Sequence, residues 1–269
     1  MSRSHLDLTT YSTLIAGMQR EGDHHIISLP EDWLQGRTAY GGLSASLCLE
    51  AIQRSYDALP PLRSAQFCFV GPASGGLSIS SQVLRKGKST VLVASDLTGD
   101  SGLAVRATFC FGAGRESSHD HQSFVMPNVP APEECPSYYT WPNRVNFMNH
   151  FEGQLALGAR PGTPDAKPEM TVWLRHYDEG DESSLVRLLS LADALPPPAL
   201  VMSQTVPIIS TMTWNIEMLD AKPFSESGWW LVQARADTSQ EGYSAQQTVI
   251  WRPDGKPVLV ARQNVVIFG

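Results

Sequence analysis

Positive charge is in short supply in this chain of 269 residues: 20 Lys and Arg stand against 27 Asp and Glu, for a formal net charge of −7. Nucleic-acid binding rests on basic patches, so no nucleic-acid partner is expected. A small phosphorylated ligand stays open, because two or three placed cations suffice for one. Apolar runs long enough to span a bilayer are missing as well, and no membrane span is expected. The opening MSRSHLDLTTYSTLIAG contains Asp7 and lacks the apolar core of a signal peptide, so the expectation is no export. The four cysteines (Cys48, Cys68, Cys110 and Cys135) show no metal-ligand spacing. Three lie in apolar segments, where a thiol behaves as a small hydrophobe, and a reducing cytoplasm fits best.

Several signatures of chemistry are also absent. There is no G-x-S-x-G elbow for a serine nucleophile and no H-E-x-x-H for zinc. Neither G-x-x-x-x-G-K-[ST] nor G-x-G-x-x-G occurs, so nothing points to a bound nucleotide cofactor. His24-His25 and His119-x-His121 read as loop residues. No metal and no cofactor are expected.

What is present is periodicity, and it occurs twice. After a strand near HHIISLP, Tyr40 to Tyr56 carries Leu43, Leu47 and Leu49 to Ile52 at helical spacing and stops before Pro60-Pro61. Successive strands follow to about Gly112, with turns at Lys86-Gly87-Lys88 and Gly99 to Gly102. Residues 115–168 are rich in proline and polar side chains and read as a surface linker with little regular structure. The pattern then restarts. MTVWLRHY is a strand, and SSLVRLLSLADAL is a helix capped by Ser183 or Ser184 and stopped by Pro196-Pro197-Pro198. Four more strands follow, with RPDGKP as a hairpin turn. LSASLCLEAI lies over VRLLSLADAL, matching Glu50 to Asp193, and DSGLAVRATFCFG echoes DGKPVLVARQNVVIFG. Such repetition implies two copies of one two-layer α+β unit, residues 1–114 and 169–269 around the 115–168 linker. The doubled unit suits a double hotdog, in which each antiparallel sheet wraps one helix.

Candidate chemistry lies in the interruptions of this pattern. Glu50 and Asp193 are acids late in apolar helices, where a buried carboxylate is costly and its pKa rises toward a range useful for a base. The competing reading has each of them projecting from the outer helix face or binding nearby backbone. Thr211 opens TMTWNIEM and Gln263 interrupts VLVARQNVVIF, where alternation sends Gln263 to the face opposite Arg262 and Asn264. Neither serves as a base near neutral pH; each either joins a structural hydrogen-bond network or aims a water. Arg85, Lys86 and Lys88 form a compact cationic turn, either plain solvated surface or a contact for a phosphate. Gly41-Gly42, at the start of the first helix, either eases a turn or opens backbone N–H groups to a ligand.

Taken in order, GRTAYGGLSASLCL, VLRKGKSTVLVAS, HDHQSFVMPNVPAPEECPS, LADALPPPAL, STMTWNIEM and DGKPVLVARQ resemble the acyl-CoA thioesterase II-like double-hotdog family along nearly the whole chain. The resemblance implies hydrolysis of an acyl-CoA substrate by a water that Asp193, Thr211 and Gln263 hold and activate. Gly41 and Gly42 would then offer N–H donors if the two helices share a pocket, and otherwise serve close helix–sheet packing or bind CoA; Arg85, Lys86 and Lys88 would meet CoA phosphates. The chain departs from the family pattern at Gly41-Gly42-Leu43, Thr213-Trp214 and Gln263-Asn264-Val265, so substrate preference does not transfer. The rival of another class is a non-catalytic hotdog that binds acyl-CoA or another lipid. A hydratase would want a helix histidine, and neither predicted helix has one. Exposed sheet edges lead to the expectation of a homo-oligomer, a dimer or larger.

Overall fold

Alternating burial organises the strands, and their pairing runs unbroken through both halves of the chain. The computed structural model describes residues 8–141, 144–181, 184–205 and 207–268, so the Ser183 alternative for the second helix cap lies outside the described residues. The first half holds α1 (Tyr11–Ala16), β1 (Gln19–Glu21), β2 (His24–Ser28), β3 (Leu34–Gln35), β4 (Thr38–Ala39), α2 (Gly41–Ser55), β5 (Leu62–Phe69), β6 (Gly76–Lys86), β7 (Thr90–Gly99) and β8 (Gly102–Gly112). The second half holds β9 (Phe151–Gly158), β10 (Glu169–His176), α3 (Leu185–Ala192), β11 (Ile208–Met218), β12 (Trp230–Gln240), β13 (Tyr243–Trp251) and β14 (Pro257–Phe268). His24 and His25 lie in strand β2, not in a loop, because they carry the alternation of HHIIS.

Among the described residues, twelve strands form one sheet in the order β1-β2-β6-β7-β8-β5-β11-β14-β13-β12-β10-β9. The order is palindromic about the β5–β11 joint. β8 answers β14, β7 answers β13, β6 answers β12, and β2 answers β10. This is the double hotdog expected from the repeat, and the two echoing stretches fall on β8 and β14. At the joint Phe67 pairs with Trp214, their ring centroids 5.5 Å apart. Both are fully buried, so the two sheets share one apolar seam.

The helices pack on the concave side and against each other, α2 on β6, β7 and β8 and α3 on β10. Nearly every residue of α2 from Gly42 to Ile52 is buried, with Glu50 the exception. Its Gly, Ala, Ser and Cys positions let sheet and partner helix approach on all sides. Ser184 caps α3 by accepting from the Arg187 N–H.

Residues 115–168 are less irregular than their composition implies. Phe124, Met126 and Val129 cover an outer-face cluster of Trp173, Trp229, Leu231, Val249 and Trp251, but Phe151–Gly158 is a full strand. Its alternation is short and carries two glycines, which hid it. The free edge of β9 is engaged by Pro136 to Tyr138, and β1 at the other edge is three exposed residues long.

Because Trp214 seals the joint, Trp214→Ala should destabilise the fold by about 3–5 kcal/mol, the range for an aromatic deletion in a core. Trp214→Phe should cost much less. Chemical denaturation checks this, and equal small losses for both would contradict a shared core.

Candidate active site

Helix α3 ends at Ala192, three residues before the Leu195 at which its apolar pattern ends, and Asp193 is its C-cap residue (φ −115°, ψ 16°). The Ala194 N–H turns back to Leu191 O, and the prolines that follow prevent another turn. This stop aims the Asp193 carboxylate at the N-terminus of α2. Tyr40, the N-cap of α2, makes no side-chain cap of its own. Instead the Gly42 N–H donates to Asp193 Oδ2 at 2.8 Å. A carboxylate from one repeat thus caps the helix of the other, at the positive end of its dipole.

The two glycines follow from this contact. A Cβ at Gly41 would stand 2.7 Å from Asp193 Oδ2 and 2.9 Å from Phe69 Cζ. At Gly42 it would stand 2.6 Å from the Ser190 carbonyl oxygen, which is backbone and has little freedom to yield. The Tyr40 hydroxyl donates to that same Ser190 carbonyl at 3.1 Å, fixing the separation of the helices.

The other oxygen of Asp193 is held from the sheet. The Gln263 amide donates to Oδ1 at 2.5 Å, and Gln246 donates to Gln263 Oε1 at 2.6 Å. Gln263 points inward as the alternation of β14 requires, while Arg262 is exposed on the other face. Burial pushes the Asp193 carboxyl up to about 7, and the bonds from Gln263 and Gly42 act in the opposite direction. The carboxylate also lines a cavity.

This cavity of about 430 Å³ lies at the junction of the repeats. Asp193, Gln263, Gln246, Thr211 and Gly41 line it, together with Phe69, Leu195, Pro196 and Ile209. A bulge between Thr211 and Thr213 puts Thr211 on the wall. The structure therefore gathers Asp193, Thr211, Gln263, Gly41 and Gly42 in one place. It does not bring Arg85, Lys86 and Lys88 there. These are exposed on the β6–β7 turn, beside Thr90 and Gly112, whereas the cavity meets β8 at Val105, seven residues or about 23 Å along the strand. Glu50 is no counterpart to Asp193 either: it pairs with Arg54 at 2.6 Å, and Arg54 binds the carbonyls of Ile15, in the last turn of α1, and of Met18 just beyond it.

Gln246 escaped the sequence reading. Its signal was available: Ser244, Gln246 and Thr248 alternate inward on β13, an unusually polar buried row. A second array looks catalytic and is not. Ser190 Oγ lies 3.0 Å from His176 Nε2, with Asp178 Oδ1 3.9 Å from Nδ1, but Ser190 and His176 are buried outside the cavity. Burial and Arg187 hold His176 down to about 3, too weak a base for a serine. Among the described residues no group of three His, Cys, Asp or Glu side chains suits a metal.

Comparison with known proteins decides the family. Residues 29–112 match the acyl-CoA thioesterase N-terminal domain, and residues 132–267 match the acyl-CoA thioesterase C-terminal domain. The chain belongs to the acyl-CoA thioesterase family. It is a thioester hydrolase of the hotdog fold. The thioesterase resembles a hotdog-fold protein of unknown function from Alicyclobacillus acidocaldarius at 22% identity and TM-score 0.87, covering 97% of this chain and 99% of that one. A putative thioesterase II from Thermobifida fusca shares 17% identity at TM-score 0.80, with 98% and 99% covered. An acyl-CoA thioesterase II from Mycobacterium marinum shares 16% identity at TM-score 0.73, with 94% and 96% covered. Among curated proteins none matches significantly. No helix among the described residues of the thioesterase is long and apolar enough to cross a membrane.

A carboxyl raised in the folded state binds its proton more tightly there than in the unfolded chain. Its contribution to stability is present at low pH and is lost as pH rises through the folded value. The melting temperature of the thioesterase relative to Asp193→Asn should therefore be more favourable at pH 5 than at pH 8. Thermal scans of both proteins test this, and a pH-independent difference would contradict a raised carboxyl.

Proposed function

We propose that the thioesterase hydrolyses an acyl-CoA by general-base attack of water, with Asp193 as the base. The observation that carries this reading is the carboxylate itself, anchored on both oxygens and open on one side to the cavity. Asp193 takes a proton as the water oxygen bonds to the thioester carbonyl carbon. The C–S bond then breaks, and the proton leaves with the CoA thiolate. Both anchoring bonds favour the ionised carboxylate and so keep a good share of it deprotonated at neutral pH, while burial keeps it basic. Thr211 places a hydroxyl on the wall, where it restricts the approach of the water.

The oxyanion that develops needs a fixed donor. The Gly42 N–H is committed to Asp193, which leaves the adjacent Gly41 for that role. Gly41 is the first residue of α2, its N–H has no acceptor one turn back, and it lines the cavity. For the CoA phosphates the better placed cation is Arg37, exposed between the cavity residues Gln35 and Thr38. The acyl chain lies along Phe69, Leu195 and Ile209 on the apolar wall.

Release of thiol from acyl-CoAs of graded chain length, followed with a thiol reagent, tests the reaction. Asp193→Asn and Asp193→Ala should lower kcat by at least a hundredfold with the fold retained. Near-normal rates in both would reject the base, and saturable acyl-CoA binding by an inactive wild-type protein would favour the lipid-binding rival. Charge reversal at Arg37 should raise KM for acyl-CoA several-fold while reversal at Lys88 leaves it unchanged. The opposite pattern would return the CoA site to the Arg85–Lys88 turn.

A further inference from the structure

One row of side chains crosses the centre of the sheet and reads symmetrically outward from the joint. From Phe67 it passes to Ala107 and then Ser95; from Trp214 it passes to Gln263 and then Gln246. The two arms occupy equivalent strands of the two repeats, β8 and β7 on one side and β14 and β13 on the other. In the first repeat the fold is satisfied by Ala107 and by Ser95, which donates to the Ser80 carbonyl within its own sheet. The hotdog architecture therefore has no need of two glutamines at these positions. They occur only on the arm that faces Asp193.

Their hydrogen bonds run in one direction. An ionised Asp193 accepts at Oδ1, so Gln263 must turn its amide nitrogen toward it and its Oε1 away. That Oε1 accepts from the Gln246 amide. The chain of donors ends there, because Gln246 Oε1 is buried without a partner among the described residues. With Asp193 ionised, the Gln263 amide presents its nitrogen to the carboxylate, and the Gln246 amide satisfies the buried oxygen that this orientation turns away.

We infer that Gln246 is a positioning residue of the hydrolytic site, holding the Gln263 amide in the one orientation that donates to Asp193. The inference rests on Asp193 being the base. Gln246 acts through Gln263 and not on the substrate.

The groups facing Asp193 are the Gly42 N–H on α2, Gln263 on β14 and the neutral phenol of Tyr40 ahead of α2. With no charged side chain among these, the orientation of one amide has a readable effect on the base. Losing the Gln263 donor raises the carboxyl pKa, so a larger part of the enzyme is protonated and inactive near neutral pH.

The test uses kcat, KM and the pH profile of acyl-CoA hydrolysis for Gln246→Met and Gln246→Ser. The serine variant installs the residue that the first repeat already folds with at this position. Both should lower kcat about tenfold, leave KM within twofold and move the acidic limb of kcat/KM to higher pH. Adding Gln246→Met to Gln263→Met should cause no further loss in kcat. A packing role alone would lower the melting temperature and leave the limb where it was. An unmoved limb in the folded variants, or losses that multiply in the double variant, would overturn the assignment while the base reading stands. Turnover persisting in Asp193→Asn would remove the base itself and this inference with it.

Discussion

A single carboxylate joins the helix ends of the two repeats at the candidate site. Asp193 ends the helix of the second repeat and caps the helix of the first, accepting the Gly42 N–H at 2.8 Å. Much of the local structure serves that contact. The glycines admit it, the Tyr40 hydroxyl on the Ser190 carbonyl sets its spacing, and the proline run stops α3 where the carboxylate can reach. A helix start that lacks a local cap gains stability from an anion brought by its neighbour. The same arrangement leaves a basic oxygen beside a cavity.

The two repeats share one architecture, but among the described residues they differ in what they place beside the cavity. Both repeats supply a strand, a helix and four antiparallel strands, and the sheet is symmetric about Phe67 and Trp214. The polar side chains of the candidate site come from one arm only. Glu50 became a surface partner of Arg54, and Ala107 and Ser95 pack the first sheet, while Asp193, Gln263 and Gln246 line the cavity in the second.

The fold was largely legible because it rests on local alternation and helical spacing that the sequence states twice. Both helices, the hairpin turns and the inward face of Gln263 follow from periodicity. What stayed hidden depends on distant contacts. Strand β9 was masked by glycines, and Asp193 proved to lie just past its helix, where the approach of α2 decides its surroundings. The equivalence of Glu50 and Asp193 by position broke down because only one of them meets the other repeat. Gln246 had a visible pattern but no stated reason to matter until its partner across the strand was known. The cationic turn at Arg85 to Lys88 is a real cluster placed at the far end of its strands.

The central claim is that the Asp193 carboxylate removes a proton from water and forms no bond to the acyl group. A single turnover in ¹⁸O-labelled water, with excess enzyme and mass analysis of both product and protein, tests it most directly. Attack by water predicts one labelled oxygen in the released acid and none in Asp193. Unlabelled acid from the first turnover, with the label recovered in the Asp193 carboxyl, would show an acyl-enzyme anhydride and contradict it.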